Sequence, residues 1–368
     1  MASAGKNGVA LNLHSGEIVQ IRSKEEILAT LDDKGRLNGL PFMPEMLKHC
    51  GKQVRVYKSA HKTCDTVDKT GSRQVPNTVH LEGLRCGGEA HGACQAGCML
   101  FWNEAWLRRV PVKSESVSPA NGVNGKHGKC SEETLWSNTT RATNSNDQVS
   151  QDFLAETYVC QTTEIPKFSK PLRWWDIRQY VKDVTSGNVT VRQVIEAIAF
   201  RLFQLVLRVG GYRALTSAYD WFQRTRGGTP YPFREGKVAS KTPLETLNLQ
   251  PGEMVQVKSY EEILETVNKV GKNRGMRFDA ELVKYCGKPF KVLGRVERII
   301  DEKTGTMRRL QNDCIVLENV ICAGQLTALR TFCPTATQAY WREIWLRRIS
   351  DVPQVSAQHC LTAVPNGQ

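Results

Sequence analysis

Alternation of apolar and polar positions marks the first element of the chain. Residues 16–22 alternate as a half-buried β-strand does. Ser23 follows, with Glu26 three positions later, which is the capping-box pattern of a helix start. Residues 44–51 begin with proline and end with glycine, and they predict a short helix. Two further apolar runs predict strands at residues 54–57 and 79–82.

The same pattern returns in the second half of the chain. Residues 252–258 repeat residues 16–22, and Tyr285-Cys286-Gly287 repeats His49-Cys50-Gly51, in each case 236 residues later. A tryptophan motif at residues 101–109 recurs at residues 340–348, where the spacing is 239. The chain is therefore an internal duplication, and we expect an insertion between Cys322 and Cys333.

Short strands that end in a Trp-Leu-Arg-Arg segment resemble the SH3-like small barrels. We expect an α+β fold of two tandem β-modules of this kind, with helical insertions and a helical middle segment. The predicted divisions are a mobile tail at 1–12, a first cysteine-rich module at 13–110, a flexible linker at 111–150, a helical segment at 151–235, a second module at 247–350 and a tail at 351–368.

Residues 189–209 carry an apolar stripe with helical period. Glu196, Arg201 and Arg208 interrupt it, and the apolar part is shorter than the about 20 residues of a membrane span. We therefore expect no transmembrane segment. The first interpretation is a helix enclosed between the two modules, and the second is a helix that binds a partner or a membrane surface.

A glycine-rich stretch in the first module gathers side chains that bind metals. Cys86, His91, Cys94 and Cys98 lie within thirteen residues, and Cys64 comes from the preceding hairpin. Zinc takes four nitrogen or sulfur ligands, so we predict zinc here, with an iron–sulfur cluster as the alternative. Buried free thiols and reactive thiols remain open as other interpretations of these cysteines.

The duplication suggests a second set of ligands. Three cysteines of the first module recur in the second, while the position of His91 holds Arg330 and that of Cys98 holds Thr337. Either the second module binds its own ion or it is a degenerate copy. The candidates for a second site are Cys286, Cys314, Cys322 and Cys333.

Most of the chain resembles an uncharacterised bacterial family whose members carry two cysteine-containing copies around a helical segment. The residues that carry this resemblance are Cys64-Asp65-Thr66, Leu84 to Arg109, Trp174-Trp175-Asp176, Tyr285-Cys286-Gly287 and Asp301 to Gly305. It implies the tandem arrangement and no particular activity.

Composition bears on partners and compartment. The 368 residues have a net charge of +13, which favours acidic partners such as nucleic acid or an anionic surface. The start of the chain lacks a hydrophobic secretory segment. Twelve cysteines without an export signal favour a reducing compartment, so we expect a cytoplasmic location.

Two other chemistries are conceivable. His61, Cys64 and Asp65 are close enough in sequence for a thiol enzyme site. The tryptophans of the repeated motif lie beside arginines, as in stacking platforms for nucleic acid; they are Trp102, Trp106, Trp341 and Trp345. The first interpretation of these rings is core packing.

We expect a metal-binding accessory or interaction protein that serves a biosynthetic or modifying system, with another protein as partner. The first alternative is a cysteine- or metal-dependent enzyme, and the second is a nucleic-acid-binding protein. The sequence indicates no particular reaction.

Overall fold

The computed structural model describes residues 10–110, 130–141, 157–326 and 330–349. Helices and antiparallel sheets are both present in these ranges, which confirms the α+β class. The α-helices are α1 Lys24–Leu28, α2 Glu132–Ser137, α3 Ile165–Phe168, α4 Arg178–Thr185, α5 Val191–Val209, α6 Tyr212–Thr225 and α7 Tyr260–Leu264. Short 3-10 helices are Pro44–His49, Glu104–Trp106, Ala280–Tyr285 and Glu343–Trp345.

The strands fall into two similar series separated by the helical middle segment. Those before α4 are β1 Ile18–Ile21, β2 Arg36–Leu37, β3 Leu40–Pro41, β4 Gln53–Ser59, β5 Lys62–Cys64, β6 Ser72–Gln74, β7 Thr78–Leu81, β8 Trp102–Asn103, β9 Leu107–Arg109, β10 Thr140–Arg141, β11 Thr157–Tyr158 and β12 Lys170–Leu172. Those after α6 are β13 Met254–Val257, β14 Lys272–Asn273, β15 Met276–Arg277, β16 Pro289–Arg295, β17 Arg298–Ile300, β18 Met307–Arg309, β19 Ile315–Ile321, β20 Gln338–Trp341 and β21 Leu346–Arg348.

Each half contains a five-stranded antiparallel sheet with the same strand order. The first is β8-β7-β4-β1-β9 and the second is β20-β19-β16-β13-β21. The registers also agree, since Ile18 pairs with Arg55 and Met254 pairs with Lys291, 236 residues further on. Both long strands shift register at the same place, after Val56 and after Val292. The two sheets are therefore equivalent strand by strand.

Local chemistry repeats with the sheets. Ser23 and Ser259 both form capping boxes with the glutamate three residues later, which starts α1 and α7. The buried carboxylates of Glu104 and Glu343 accept backbone N–H groups from the chain that enters each module. Ser23 and Glu104 in the first half therefore make the same hydrogen bonds as Ser259 and Glu343 in the second half.

The tryptophans of the repeated motif lie in the cores. Trp102, Trp106, Trp341 and Trp345 are all 0% exposed. The indole N–H of Trp106 donates to Thr30, and that of Trp345 donates to the equivalent Thr266. A ring without exposed surface cannot stack on a base, so the stacking-platform interpretation is wrong for these four residues and core packing is confirmed.

Twelve residues of the predicted linker are ordered against the first module. Residues 130–141 form α2 and β10, and the side chains of Cys130 and Leu135 join the first module's core. The structure differs here from the expected flexible linker, because a single leucine and a cysteine bury enough apolar surface to dock a short helix. The remaining linker residues and both predicted tails lie largely outside the described ranges.

The described residues cover helix α5 on one face and leave the other exposed. Phe203 stacks on Tyr219 of α6 with ring centroids 5.1 Å apart, and Leu207 is buried. The opposite face is exposed and carries Val191, Ile195, Ile198, Leu202, Leu205 and Val209. The structure therefore differs from the expectation of a helix enclosed between the modules. In the described part of the chain, no helix has both the length and the apolar character that crossing a membrane requires.

The two modules meet through reciprocal contacts. The hairpin β5–β6 of the first module reaches the loop between β19 and β20, the cysteine loop of the second module. Cys64 Sγ lies 2.8 Å from Cys333 Sγ there. The hairpin β17–β18 of the second module reaches the first module's loop, where the backbone N–H of Ile300 points at Cys94 Sγ across 3.4 Å. Ile300 is the duplicate of Cys64, so each module gives a hairpin and receives one, as in an isologous interface.

Candidate metal centre

Residues 86–98 form a loop that closes on itself. The backbone N–H of Cys86 donates to the carbonyl of Cys98 across 2.8 Å, and Arg85 pairs with Met99 just outside. Gly88 has φ +73, and a Cβ there would lie 2.1 Å from the carbonyl oxygen of Cys94. Only glycine permits both that dihedral and that approach. The glycine thereby lets the backbone at residue 88 lie against the backbone of Cys94.

Three side chains converge inside this loop. Glu45 comes from the first 3-10 helix, whose sequence starts with Pro44. Its Oε1 lies 3.3 Å from Cys86 Sγ and 3.7 Å from His91 Nδ1, and His91 Nε2 lies 3.2 Å from Cys86 Sγ. One ligand atom from each residue lies within 4.8 Å of the others. A search of the described residues for three or more acidic, histidine or cysteine side chains close enough to share an ion finds these three.

Two buried polar atoms of this group have no hydrogen-bond partner among the described residues. They are Glu45 Oε2 and His91 Nδ1, on side chains that are 3% and 1% exposed. Buried polar groups without partners are rare in folded proteins because desolvation costs free energy. A cation bound beside them would remove that cost.

A small cavity extends from the triad to three more cysteines. Its volume is about 30 Å³, roughly the room that one water molecule or one ion needs. Apart from Cys86 and His91, the residues on its wall that can bind a metal are Cys94, Cys98, Cys160 and Glu302. Glu302 belongs to the hairpin β17–β18 of the second module, so that hairpin also reaches this cavity.

Burial keeps the thiols of Cys86 and Cys98 protonated in the absence of a cation. Burial raises the pKa of Cys86, and the charge of Glu45 raises it further. Burial likewise raises the pKa of Cys98, with the charge of Glu302 as a second cause. Burial lowers the pKa of His91, which leaves the imidazole neutral and able to bind a metal. A metal ion would supply the positive charge that thiolates in this setting require.

The sequence prediction identified four of the residues on this cavity. Cys86, His91, Cys94 and Cys98 all lie on the cavity wall, and Cys86 and His91 also belong to the triad with Glu45. Cys64 is not on the cavity wall, because its sulfur lies against that of Cys333. Cys160 is on the wall instead. Cys160 and Glu45 were missed. The signal for Cys160 was the apolar segment Tyr158-Val159-Cys160 after a polar stretch, while Glu45 looked like an ordinary helix-start carboxylate.

The second set of cysteines is dispersed. Cys314 is buried in a small cluster with Val296 and Val316, and Cys286 packs against the second module's main core. Cys333 lies against Cys64. The charge of Glu281, the duplicate of Glu45, adds to burial in raising the pKa of Cys322 to about 12. The structure therefore does not assemble these four cysteines into one site.

The described residues of the second cysteine loop nevertheless repeat two backbone hydrogen bonds of the first. Cys322 N–H donates to Thr337 across 2.9 Å at its neck, and Phe332 N–H donates to Gly324 across 2.7 Å. The first loop makes the same bonds from Cys86 and Ala93. The spacing changes from 236 to 239 between Gly324 and Phe332, so the insertion lies in that part of the loop.

The conceivable thiol enzyme site does not form. His61 Nε2 lies 3.2 Å from Asp183 of α4, and Cys64 faces Cys333. Asp65 accepts hydrogen bonds from Thr70 and Arg73 in its own hairpin. The three side chains point to three different partners, so they cannot act on one substrate atom.

Comparison with known proteins gives no relative for this chain: no family model matches it, and no curated protein or solved structure matches it. The resemblance in the cysteine and tryptophan motifs therefore stays a prediction, and the functional argument depends on the site itself.

Proposed function

We propose that the first module holds one zinc ion through Cys86, His91, Cys94 and Cys98. The observation that carries this proposal is the convergence of Glu45, Cys86 and His91. Cys86 and His91 of this group line a cavity of about 30 Å³, and Cys94 and Cys98 lie on the same wall. Three thiolates and one imidazole are a standard ligand set for structural zinc.

Glu45 acts in this proposal as the partner of His91. The imidazole presents Nε2 to Cys86 and Nδ1 to the carboxylate of Glu45. Zinc-binding histidines usually give their other ring N–H to a carboxylate or carbonyl, which sets the tautomer and the ring orientation. Cys160 lies on the same cavity wall as a further buried thiol.

The cavity size favours zinc over an iron–sulfur cluster. A volume of about 30 Å³ suits one ion, whereas a cluster adds several iron and sulfide atoms. Two of the proposed ligands are buried and the other two partly buried, which also favours a structural site over a catalytic one. His91 is 1% and Cys94 7% exposed, and catalytic zinc keeps an open position for water or substrate.

A structural ion at this place supports an accessory or interaction role in the cytoplasm. Its loop receives the hairpin of the second module, with Gln95 accepting from the backbone N–H of Glu297 across 2.7 Å. We infer that two SH3-like modules related by duplication are joined around the zinc loop, and that the assembled chain serves a biosynthetic or modifying system by binding another protein.

Elemental analysis of the full chain, purified without chelator, tests the proposal. The expected result is about one zinc per chain, with most of it lost in Cys94→Ser. Cys314→Ser is the matched control, because Cys314 is equally buried but lies in the other module, away from this cavity. Folded wild-type protein without bound metal would refute the zinc centre.

Glu45→Gln tests whether Glu45 acts on zinc binding as the partner of His91. It should weaken zinc binding about 10- to 100-fold in a competition titration with a chromogenic chelator, because outer partners have effects of that size. Glu89→Gln is the control, since Glu89 lies in the same loop but is exposed and pairs with Lys48. Equal affinity in the two variants would remove Glu45 from the site.

A further inference from the structure

Cys64 and Cys333 meet across the boundary between the modules. Their sulfur atoms are 2.8 Å apart although the residues are 269 positions apart in the chain. A disulfide bond is about 2.05 Å long, so roughly 0.8 Å of movement separates contact from a covalent bond.

Packing alone does not require two thiols here. At the reciprocal contact the position of Cys64 is held by Ile300, which presents its backbone N–H to Cys94. The same interface is thus built once with a cysteine pair and once with isoleucine. The cysteine pair therefore occurs at one of the two reciprocal contacts and not at the other.

The surroundings of the pair stabilise a thiolate. Thr335 Oγ1 lies 3.2 Å from Cys333 Sγ and 3.0 Å from Thr63 Oγ1. The ammonium group of Lys62, two residues before Cys64, pairs with Asp183 and donates to the carbonyl of Thr331 across 2.8 Å, which places one cation near the pair. The hydrogen bond from Cys64 lowers the pKa of Cys333 and raises that of Cys64. One sulfur is therefore the nucleophile and the other the proton-bearing partner.

We propose that Cys64 and Cys333 are a redox site whose disulfide links the two modules covalently and reversibly. Hydrogen peroxide is the oxidant: the Cys333 thiolate attacks one peroxide oxygen, the O–O bond breaks, and the released hydroxide takes up a proton to leave as water. The sulfenic acid formed on Cys333 is then attacked by Cys64, the S–O bond breaks, and a second water carries away the Cys64 proton. Two thiols and one peroxide give one disulfide and two waters, and a dithiol reductant reverses the change.

Peroxide treatment of the zinc-loaded full chain tests this site. Peptide mapping by mass spectrometry should find a Cys64–Cys333 cross-link with the loss of two hydrogens. Unreduced protein should migrate faster in a denaturing gel, because the bond closes a loop of 269 residues. The melting temperature should rise by several degrees, since cross-links between distant positions restrict the unfolded chain. Dithiothreitol should reverse all three effects.

Cys64→Ile is the matched variant, because it copies the residue of the reciprocal contact. It should fold, keep its zinc and lose the cross-link. Wild-type protein in which peroxide joins other cysteines, or leaves Cys64 and Cys333 reduced, would overturn the proposal. So would a Cys64→Ile variant that lost one metal ion per chain, because the pair would then be part of a metal site.

Discussion

His80 shows how one buried side chain couples this fold to pH. It is 0% exposed, and its Nδ1 lies 3.0 Å from the carbonyl of Leu100. Burial lowers the pKa of His80 from 6.5 to about 4. Between pH 6.5 and pH 4 the unfolded chain binds a proton at His80 that the folded chain excludes. The contribution of neutral His80 to stability is therefore complete above pH 6.5 and is lost as the pH falls towards 4.

His80→Val tests this coupling, and Val316 occupies the equivalent position in the second module. The free energy of unfolding of the wild type should fall by roughly 3 kcal/mol more than that of the variant between pH 6.5 and pH 4. Urea unfolding at several pH values measures both. Parallel pH profiles for the two proteins would show that His80 does not titrate in this way.

At the scale of elements, helix α5 has two unlike faces. Leu202 is 58% exposed, while the neighbouring Phe203 packs on the ring of Tyr219. The exposed positions Val191, Ile195, Ile198, Leu202, Leu205 and Val209 follow the alternating spacing of four and three that is typical of coiled coils. Within the described residues, the helix is therefore held by the face that carries Phe203 and Leu207.

Substitutions on the two faces should have different effects on stability. Leu202→Gln should change the free energy of unfolding by less than about 0.5 kcal/mol, because the side chain is already in water. Phe203→Ala should cost roughly 1–3 kcal/mol, because a half-buried ring and its aromatic contact are lost. Thermal unfolding of both variants measures the difference. A larger loss for Leu202→Gln would mean that its face is covered in the isolated protein.

At the scale of the whole molecule, the loop of residues 86–98, where we propose zinc, and the interface between the modules should respond together to removal of the metal. The backbone N–H of Gln95, inside the loop, donates to Arg298 of the second module across 3.1 Å. If zinc shapes the loop, its removal loosens this contact, because metal binding and local folding are coupled.

Hydrogen exchange before and after chelation measures that response. Exchange at Gln95 and Ile300 should become faster once the metal is removed. The amides that join β13 to β16 should keep their protection, because that sheet has its own buried core. Unchanged exchange at Gln95 would show that the interface does not depend on the metal, and equal acceleration everywhere would show general unfolding.

Much of the architecture follows from the sequence because it depends on short-range patterns. Alternation predicted β1, the Ser23 and Glu26 pair predicted the cap of α1, and the constant spacing of 236 made the second sheet a copy of the first. The cluster of Cys86, His91, Cys94 and Cys98 was also visible, because glycine-rich turns bring near neighbours together. Local spacing suffices for contacts of this range.

Only the tertiary structure decided which distant residues complete each cluster. Glu45 and Cys160 come to the candidate metal site from separate elements. Cys64 lies against Cys333 instead, because each module extends a hairpin to the other. No periodicity within one module encodes that exchange. It depends on how two folded surfaces fit, and this fit sets the long-range contacts. The packing of the modules therefore decides which cysteines lie at the candidate metal site and which form the thiol pair.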